Sequence, residues 1–115
     1  MKNVAVKKYE IDRNFLNCHI AGFQYYDGCQ VIDELNVGVP LDIFAEADNP
    51  HDATAVAIYF GEKKLGYIPA GKNEELSKFL QFGHADIFEV NINFKNLDLH
   101  PEQQFRIAVK IKDER

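Results

Sequence analysis

Two groups of polar residues bracket an apolar stretch in the middle of the chain, and both contain side chains that could bind a ligand. The groups are Asp48-Asn49-Pro50-His51-Asp52 and Gly66-Tyr67-Ile68-Pro69. A carboxylate such as that of Asp52 can accept a hydrogen bond from a terminal hydroxyl group. Asn-Pro is also common turn chemistry, because Asn bonds back to the backbone and Pro presets φ. Asp52 is therefore either a hydroxyl acceptor or a turn residue that bonds the backbone amides of Thr54 or Ala55.

A pair of adjacent aromatic residues, Tyr25 and Tyr26, follows a predicted strand and precedes an Asp27-Gly28 turn. Aromatic rings stack on nucleic-acid bases whatever the sequence, and each stacked base is worth about 1–3 kcal/mol. In a regular strand, neighbouring side chains point to opposite faces, so both rings reach one ligand only if the backbone bends. The alternative is that one ring packs in the core and the other covers the rim of the fold.

A carboxylate group is a further candidate, since Glu46, Asp48 and Asp52 could hold a divalent cation for phosphodiester cleavage. The sequence does not point to the additional carboxylates and basic residue of such a site, so a metal-dependent hydrolase is the least favoured hypothesis. The four histidines form no H-x-x-x-H pair, and Cys18 and Cys29 lack C-x-x-C spacing. We therefore predict structural thiols, no metal site and no cofactor.

The composition is that of a globular domain with an acidic balance. The chain has 115 residues, is 46% hydrophobic and carries a formal net charge of −5, which allows one hydrophobic core. A protein that held a long duplex through its phosphates would be basic, so a nucleic-acid ligand must be short or meet a local basic patch. No apolar run approaches a membrane span and no secretory signal is recognisable, which predicts a cytoplasmic protein without membrane association.

Basic residues alternate with apolar ones in the last two predicted strands. We expect them on one outward sheet face, where they either guide a phosphate backbone or protect an edge strand from aggregation. The residues are Lys95, Arg106, Lys110 and Lys112.

Residues 73–80, NEELSKFL, predict the one clear helix. Asn73 can cap its start, and two glutamates in its first turn interact favourably with the helix dipole. Leu76, Phe79 and Leu80 share one face and are expected to pack on the core.

Short alternating or apolar segments predict a mostly β fold. Six or seven strands with one main α-helix indicate a small OB-like or SH3-like β-barrel, with the helix plugging one end. The domain is expected to span residues 14–112, after an N-terminal extension at 1–13. The predicted strands cover residues 16–22, 30–35, 41–45, 55–60, 65–68, 88–94 and 105–111.

Three stretches of the chain resemble the HIRAN domain family. IAGFQYYDG at 20–28 is similar to the family's V-G-x-x-Y-Y-x-G opening, and EADNPHDATAVAI at 46–58 is similar to R-E-P-x-N-P-x-D-x-N-A-I-x-V. LGYIP at 65–69 is similar to x-G-[HY]-[IL]-P before a helix. Their order and spacing match over about residues 14–112, and the combination is specific although each piece alone is weak.

The resemblance implies a non-catalytic barrel related to the OB fold that recognises 3′ ends of single-stranded DNA, as the helicase versions of the domain do. By position, Tyr25 and Tyr26 would stack on the terminal nucleotides and Asp52 would accept the 3′-hydroxyl. The implied role is DNA repair or replication-fork processing beside a separately encoded helicase or nuclease. The implied walls of the pocket are His51, Tyr67 and Lys72.

The chain departs from the helicase versions in its charges. Gln24 stands where they carry a basic residue before the tyrosines, and Ala45 stands where they carry Arg. Pro69, Ala70 and Gly71 precede Lys72, where the helicase versions have lysines. The phosphate-binding charges are largely missing, whereas the stacking and hydroxyl-binding residues remain. The alternative hypothesis is therefore a protein-interaction or regulatory module that kept the fold and lost DNA binding.

Overall fold

Residues 13–112 are described by the structure, a computed structural model of the chain. The predicted N-terminal extension at 1–13 lies outside the described residues except for Arg13. Short 3-10 segments connect the main elements. The main elements are β1 Asn14–His19, β2 Pro40–Ala45, β3 Val56–Phe60, β4 Lys63–Tyr67, α1 Glu74–Gln81, β5 Phe88–Lys95 and β6 Phe105–Ile111.

The six strands form one antiparallel sheet in the order β1-β6-β5-β2-β3-β4. The sheet curls into a half-barrel, and Ala21, which follows β1, meets Tyr67 of β4 through two backbone hydrogen bonds of 2.8 and 2.9 Å. Gly66 permits this approach, because a Cβ there would lie 2.4 Å from the Ala21 carbonyl oxygen. The predicted mostly β, barrel-like fold with one main helix is confirmed.

Strand alternation places the core on the inner face of the sheet. In the predicted strand at 41–45, Leu41 and Ile43 of β2 are buried between exposed neighbours. The predicted strand at 55–60 forms β3 and is buried on both faces, because Val56, Ala57 and Ile58 are all inaccessible to solvent.

The prediction of a strand at 30–35 is wrong. The segment Gly28–Glu34 forms 3-10 turns with a kink at Val31. Val31 and Ile32 are half-buried and Leu35 is fully buried. This spacing of three and four residues puts the apolar side chains on one side of a helical turn, whereas a strand would divide them between two faces.

A β-bulge near the end of β5 overturns part of the predicted face of that strand. Phe94, which strict alternation would point toward the core, pairs with Arg106 and is partly exposed. Lys95, predicted on the outer face with Arg106, instead pairs with Phe105, and its ammonium group donates a hydrogen bond of 3.0 Å to the Ile32 carbonyl. The predicted group of four basic residues on one face is therefore wrong, because the extra residue reverses the side chains beyond it.

The predicted helix is confirmed as α1, with Leu76 fully buried and Phe79 partly exposed. The predicted cap is wrong. Asn73 immediately precedes the helix, but its side chain makes no capping hydrogen bond and is 1% exposed. It turns instead toward the turn at 52–54.

The two cysteines are free thiols in different environments. Cys18 of β1 is fully buried, as its place in the alternating pattern predicts, and Cys29 is exposed. Burial raises the pKa of the Cys18 thiol to about 11. Within residues 13–112, no helix is long and apolar enough to cross a membrane.

Candidate nucleic-acid interface

A left-handed backbone conformation at Gly22 turns the chain so that both tyrosines lie beside it. Gly22 has φ of +75°, and Phe23–Tyr25 form a single 3-10 turn. Tyr25 is 74% exposed and Tyr26 is 38% exposed. A Cβ at Gly22 would lie 3.4 Å from the Tyr26 ring and 3.9 Å from the Tyr25 ring, so both rings flank this glycine. The bend that would let two consecutive tyrosines contact one ligand is present.

Long-range contacts hold this tyrosine turn in place. Phe23 is buried against Phe105, with ring centroids 4.9 Å apart. The Gly22 amide donates a hydrogen bond of 2.7 Å to the Glu102 carboxylate, and His19 Nε2 lies 3.5 Å from the other Glu102 oxygen. Sequence reasoning missed Glu102, since 80 residues separate it from Gly22 and no local pattern marks it.

Beside Tyr26, three side chains form a polar network: Tyr67, Glu46 and Lys64. The Tyr67 hydroxyl donates to Glu46 Oε1 at 2.7 Å, and Lys64 Nζ donates to Glu46 Oε2 at 3.1 Å and to the Tyr67 hydroxyl oxygen. Lys64 Nζ also lies 4.4 Å from the centroid of the Tyr67 ring and 5.0 Å from that of Tyr26. The two rings meet edge to face with centroids 5.7 Å apart. The lysine thus joins both rings through cation–π contacts.

A β-bulge in β4 places Lys64 and Tyr67 on the same face of the sheet. Lys64 pairs with Tyr59, whereas the preceding residue of β3 pairs with Gly66, so Leu65 is the extra residue. In a regular strand, residues three apart face opposite sides. The contact of Lys64 with the tyrosines was missed from the sequence, because alternation alone does not reveal a bulge.

Hydrogen bonds set the charges of this network. Burial alone would raise the pKa of Glu46, but hydrogen bonds from Tyr67, Lys64 and Asn49 outweigh it and hold the pKa below its ordinary value. Burial would lower the pKa of Lys64, but its bonds to Tyr67 and Glu46 raise it above its usual range. Burial, aided by Glu46, raises the pKa of Tyr67. At neutral pH the network is a carboxylate, an ammonium group and a neutral hydroxyl.

A second cluster forms around Asp52 at the approach to α1. Asp52 Oδ1 accepts hydrogen bonds of 2.9 Å from the Thr54 amide and 2.8 Å from the Thr54 hydroxyl, and Oδ2 accepts one of 2.9 Å from Asn73. The bond from the Thr54 amide, then those from its hydroxyl and from Asn73, lower the pKa of Asp52. The predicted turn role is confirmed. Since a carboxylate oxygen can accept two hydrogen bonds, Oδ2 retains capacity for a hydroxyl donor.

Asn49 links the two clusters. Its side-chain amide donates to Glu46 at 3.2 Å, and its side-chain oxygen accepts from the backbone amides of His51 at 2.8 Å and Asp52 at 3.2 Å. Asn49 therefore has the structural turn role that the sequence predicts. Through it, the tyrosine network and the Asp52 turn form one connected polar surface.

The sequence model of the HIRAN domain matches residues 14–112. The chain belongs to the HIRAN domain family. The HIRAN domain is known as a DNA-binding module and not as a catalytic family, so membership is consistent with nucleic-acid binding. No curated protein sequence is significantly similar to this HIRAN domain.

A crystal structure of a protein from Lactobacillus plantarum is similar to this HIRAN domain. The TM-score is 0.65 and the sequence identity is 16%, with 84% of this chain and 94% of that chain covered. At this identity, the similarity shows the fold alone.

The remaining predicted site residues of this HIRAN domain lie at the solvent-exposed edge of the connected surface. His51 is exposed on the turn that Asn49 organises. Lys72 is exposed directly before Asn73, the partner of Asp52. Tyr26 and Tyr67 contact each other, and the hydrogen bond from the Asn49 side chain to Glu46 links Tyr67 indirectly to the Asp52 turn.

The acidic residues considered for metal binding are engaged in different interactions. Glu46 bonds Tyr67, Lys64 and Asn49, whereas Asp52 bonds Thr54 and Asn73. In the described part of this HIRAN domain, no three His, Cys, Asp or Glu residues are grouped so that they could hold a metal ion.

Proposed function

We propose that this HIRAN domain binds the 3′ end of single-stranded DNA, in cytoplasmic DNA repair or replication-fork processing. The observation that carries the proposal is the pair of rings beside Gly22, in which Tyr25 is 74% exposed and Tyr26 contacts the ring of Tyr67. Exposed rings on a turn that Phe23 and Gly22 anchor provide a stacking surface that does not depend on base identity.

The proposed division of roles follows from exposure and hydrogen-bonding capacity. Tyr25 or Tyr26 stacks on the terminal base, and Tyr67 forms the wall beside them. Asp52 is held as a carboxylate, and the free capacity of Oδ2 suits the donor hydrogen of a 3′-hydroxyl. His51 and Lys72 line the open side, where Lys72 supplies positive charge for a phosphate.

The charge of the chain supports a short ligand and not a long duplex. The formal net charge is −5, so a grip on many phosphates would meet overall repulsion. A strand end offers a hydroxyl and an unpaired base in addition to its phosphates. Stacking and hydroxyl binding then supply the affinity that electrostatic attraction does not.

Fluorescence anisotropy with three labelled ligands at low salt tests this proposal. The ligands are a short single strand with a free 3′-hydroxyl, the same strand with a 3′-phosphate, and a blunt duplex. We expect binding to the first alone. Equal binding to all three would instead indicate general charge attraction, and no binding to any would contradict the proposed function.

Two variants map the site. Tyr25→Ala and Asp52→Ala should each weaken binding of the hydroxyl-ended strand by about tenfold without unfolding the domain. Phe82→Ala is the matched control for Tyr25→Ala, because Phe82 is an equally exposed aromatic residue, 77% accessible, at the end of α1. If both site variants bind like the wild type, this assignment of residues is wrong.

A protein-interaction or regulatory module is the second candidate, and one observation favours it. Lys64, the cation beside the tyrosine rings, is already neutralised by Glu46 at 3.1 Å. Under this hypothesis, the exposed rings contact a protein partner, such as a repair helicase or nuclease. Co-purification of a partner from native extract that Tyr25→Ala abolishes, together with no oligonucleotide binding, would favour it.

A further inference from the structure

The outer face of β2, β3 and β4 carries aromatic side chains beyond the predicted site. Phe44 of β2 is 53% exposed and meets the Tyr59 ring of β3 edge to face, with centroids 5.4 Å apart. Neither residue lies in the three stretches that resemble the HIRAN family, which are 20–28, 46–58 and 65–69.

Register shows that this pair lies on the same face as Tyr67. Tyr67 pairs with Ala57, and Ala57 pairs with Phe44, so these three form one row across the three strands. Tyr59 lies two residues from Ala57 and therefore points to the same side. Tyr59 in turn pairs with Lys64, the lysine that contacts the rings of the tyrosine network.

Ala57 lies between the two aromatic sites in this row. Ala57 points to the outer face but is fully inaccessible, so the larger side chains around it cover it. Adjacent strands lie about 4.8 Å apart, which puts the Phe44 position about 10 Å from Tyr67. That span corresponds to about three stacked nucleotides at ~3.4 Å each, or to fewer in an extended strand.

We infer that the Phe44–Tyr59 pair is a second stacking site, which binds a base about two or three nucleotides upstream of the 3′ end. This inference rests on the proposed function. The strand leaves the tyrosine turn beside Lys64 and crosses β4, β3 and β2 in that order. The occupant is single-stranded nucleic acid, because the pair lies in the same row as Tyr67 of the proposed strand-end site, within the reach of a few further nucleotides of the same strand.

A length series of oligothymidylates with free 3′-hydroxyls tests the inference by anisotropy. The wild type should bind a hexanucleotide at least about fivefold more tightly than a dinucleotide. Phe44→Ala should lose that gain while it binds the dinucleotide like the wild type. Phe82→Ala, which removes an exposed ring at the end of α1, should keep the gain.

The outcomes separate this inference from the proposed function. Dinucleotide binding without a gain from length, or a gain that Phe44→Ala retains, overturns the second site and leaves the first. No binding of either ligand overturns both.

Thermal unfolding checks the fold of Phe44→Ala. A second experiment, photo-crosslinking, uses the wild type and therefore does not depend on whether the variant folds. In that measurement, 5-iodouracil at the third or fourth nucleotide from the 3′ end should photo-crosslink to the peptides with Phe44 or Tyr59, and crosslinks confined to the tyrosine turn would contradict the path.

Discussion

The Tyr67 hydroxyl of β4 donates a hydrogen bond of 2.7 Å to the carboxylate of Glu46, the residue that follows β2. We expect Tyr67→Phe to lower the free energy of unfolding by about 1 kcal/mol, because a part-buried carboxylate loses one of its donors. The ring remains, so affinity for a 3′-hydroxyl strand should change little. Urea unfolding and anisotropy measure the two effects, and a large loss of affinity would show that the hydroxyl itself contacts the ligand.

The stability of the domain should fall in acid partly through Glu46. Its folded-state pKa lies below its ordinary value near 4.5, so its stabilising contribution is present above that value and is lost as pH falls through the lower folded pKa. Glu46→Gln should therefore flatten the decline of thermal midpoint below about pH 5. The lowered pKa of Asp52 acts in the same direction and leaves a residual slope. Identical pH profiles for the two proteins would contradict this role of Glu46.

The meeting of the two sheet edges depends on Gly66. A Cβ there would lie 2.4 Å from the Ala21 carbonyl oxygen, and its φ of +149° disfavours other residues. Gly66→Ala should therefore destabilise the domain by at least about 2 kcal/mol. Gly71→Ala is the control, because a Cβ at Gly71 meets nothing within 4 Å. Denaturant midpoints of the two variants give the comparison. Equal midpoints would show that the close approach of Ala21 to β4 at Gly66 contributes nothing to stability.

Asn73 should act through Asp52 and Thr54 and not as a helix cap. Asn73→Ala removes a buried donor and acceptor and should cost about 1–3 kcal/mol. Asn73→Ser tests the alternative, since serine is a good N-cap residue but is too short to replace the amide that donates to Asp52 at 2.9 Å. Recovery of wild-type stability in Asn73→Ser would mean that capping matters most. The carboxyl titration of Asp52, followed by NMR, should move upward in both variants.

The sequence predicted those features of the fold that follow from local patterns, either the alternation of apolar and polar residues along a strand or a continuous apolar run. The alternation of Leu41 and Ile43, and the apolar run that became β3, depend only on neighbours in the chain. The bulges at Leu65 and near Phe94 insert one residue and reverse the faces beyond it. Their causes lie in pairing partners that are distant in sequence, and alternation alone therefore misplaced Lys95.

The candidate site shows the same division between local and distant information. The turn role of Asp52 follows from short-range chemistry, and the bend required for Tyr25 and Tyr26 could be stated in advance as a condition. The partners Lys64 and Glu102 become neighbours of the tyrosines only after the sheet curls. Neither the composition nor the spacing of residues predicts that curvature of the sheet.

The difference between the two cysteines has a practical consequence for spectroscopy. Cys29 is exposed in the segment that follows the tyrosine turn, whereas Cys18 is buried and its pKa is raised to about 11. Because thiol reagents attack the accessible thiolate, a maleimide dye at neutral pH should attach at Cys29 and leave Cys18 unmodified. The chain contains two cysteines, so no substitution is needed to obtain one attachment point. A fluorophore there sits beside the tyrosine turn, and its emission would report what occupies that turn in the native sequence.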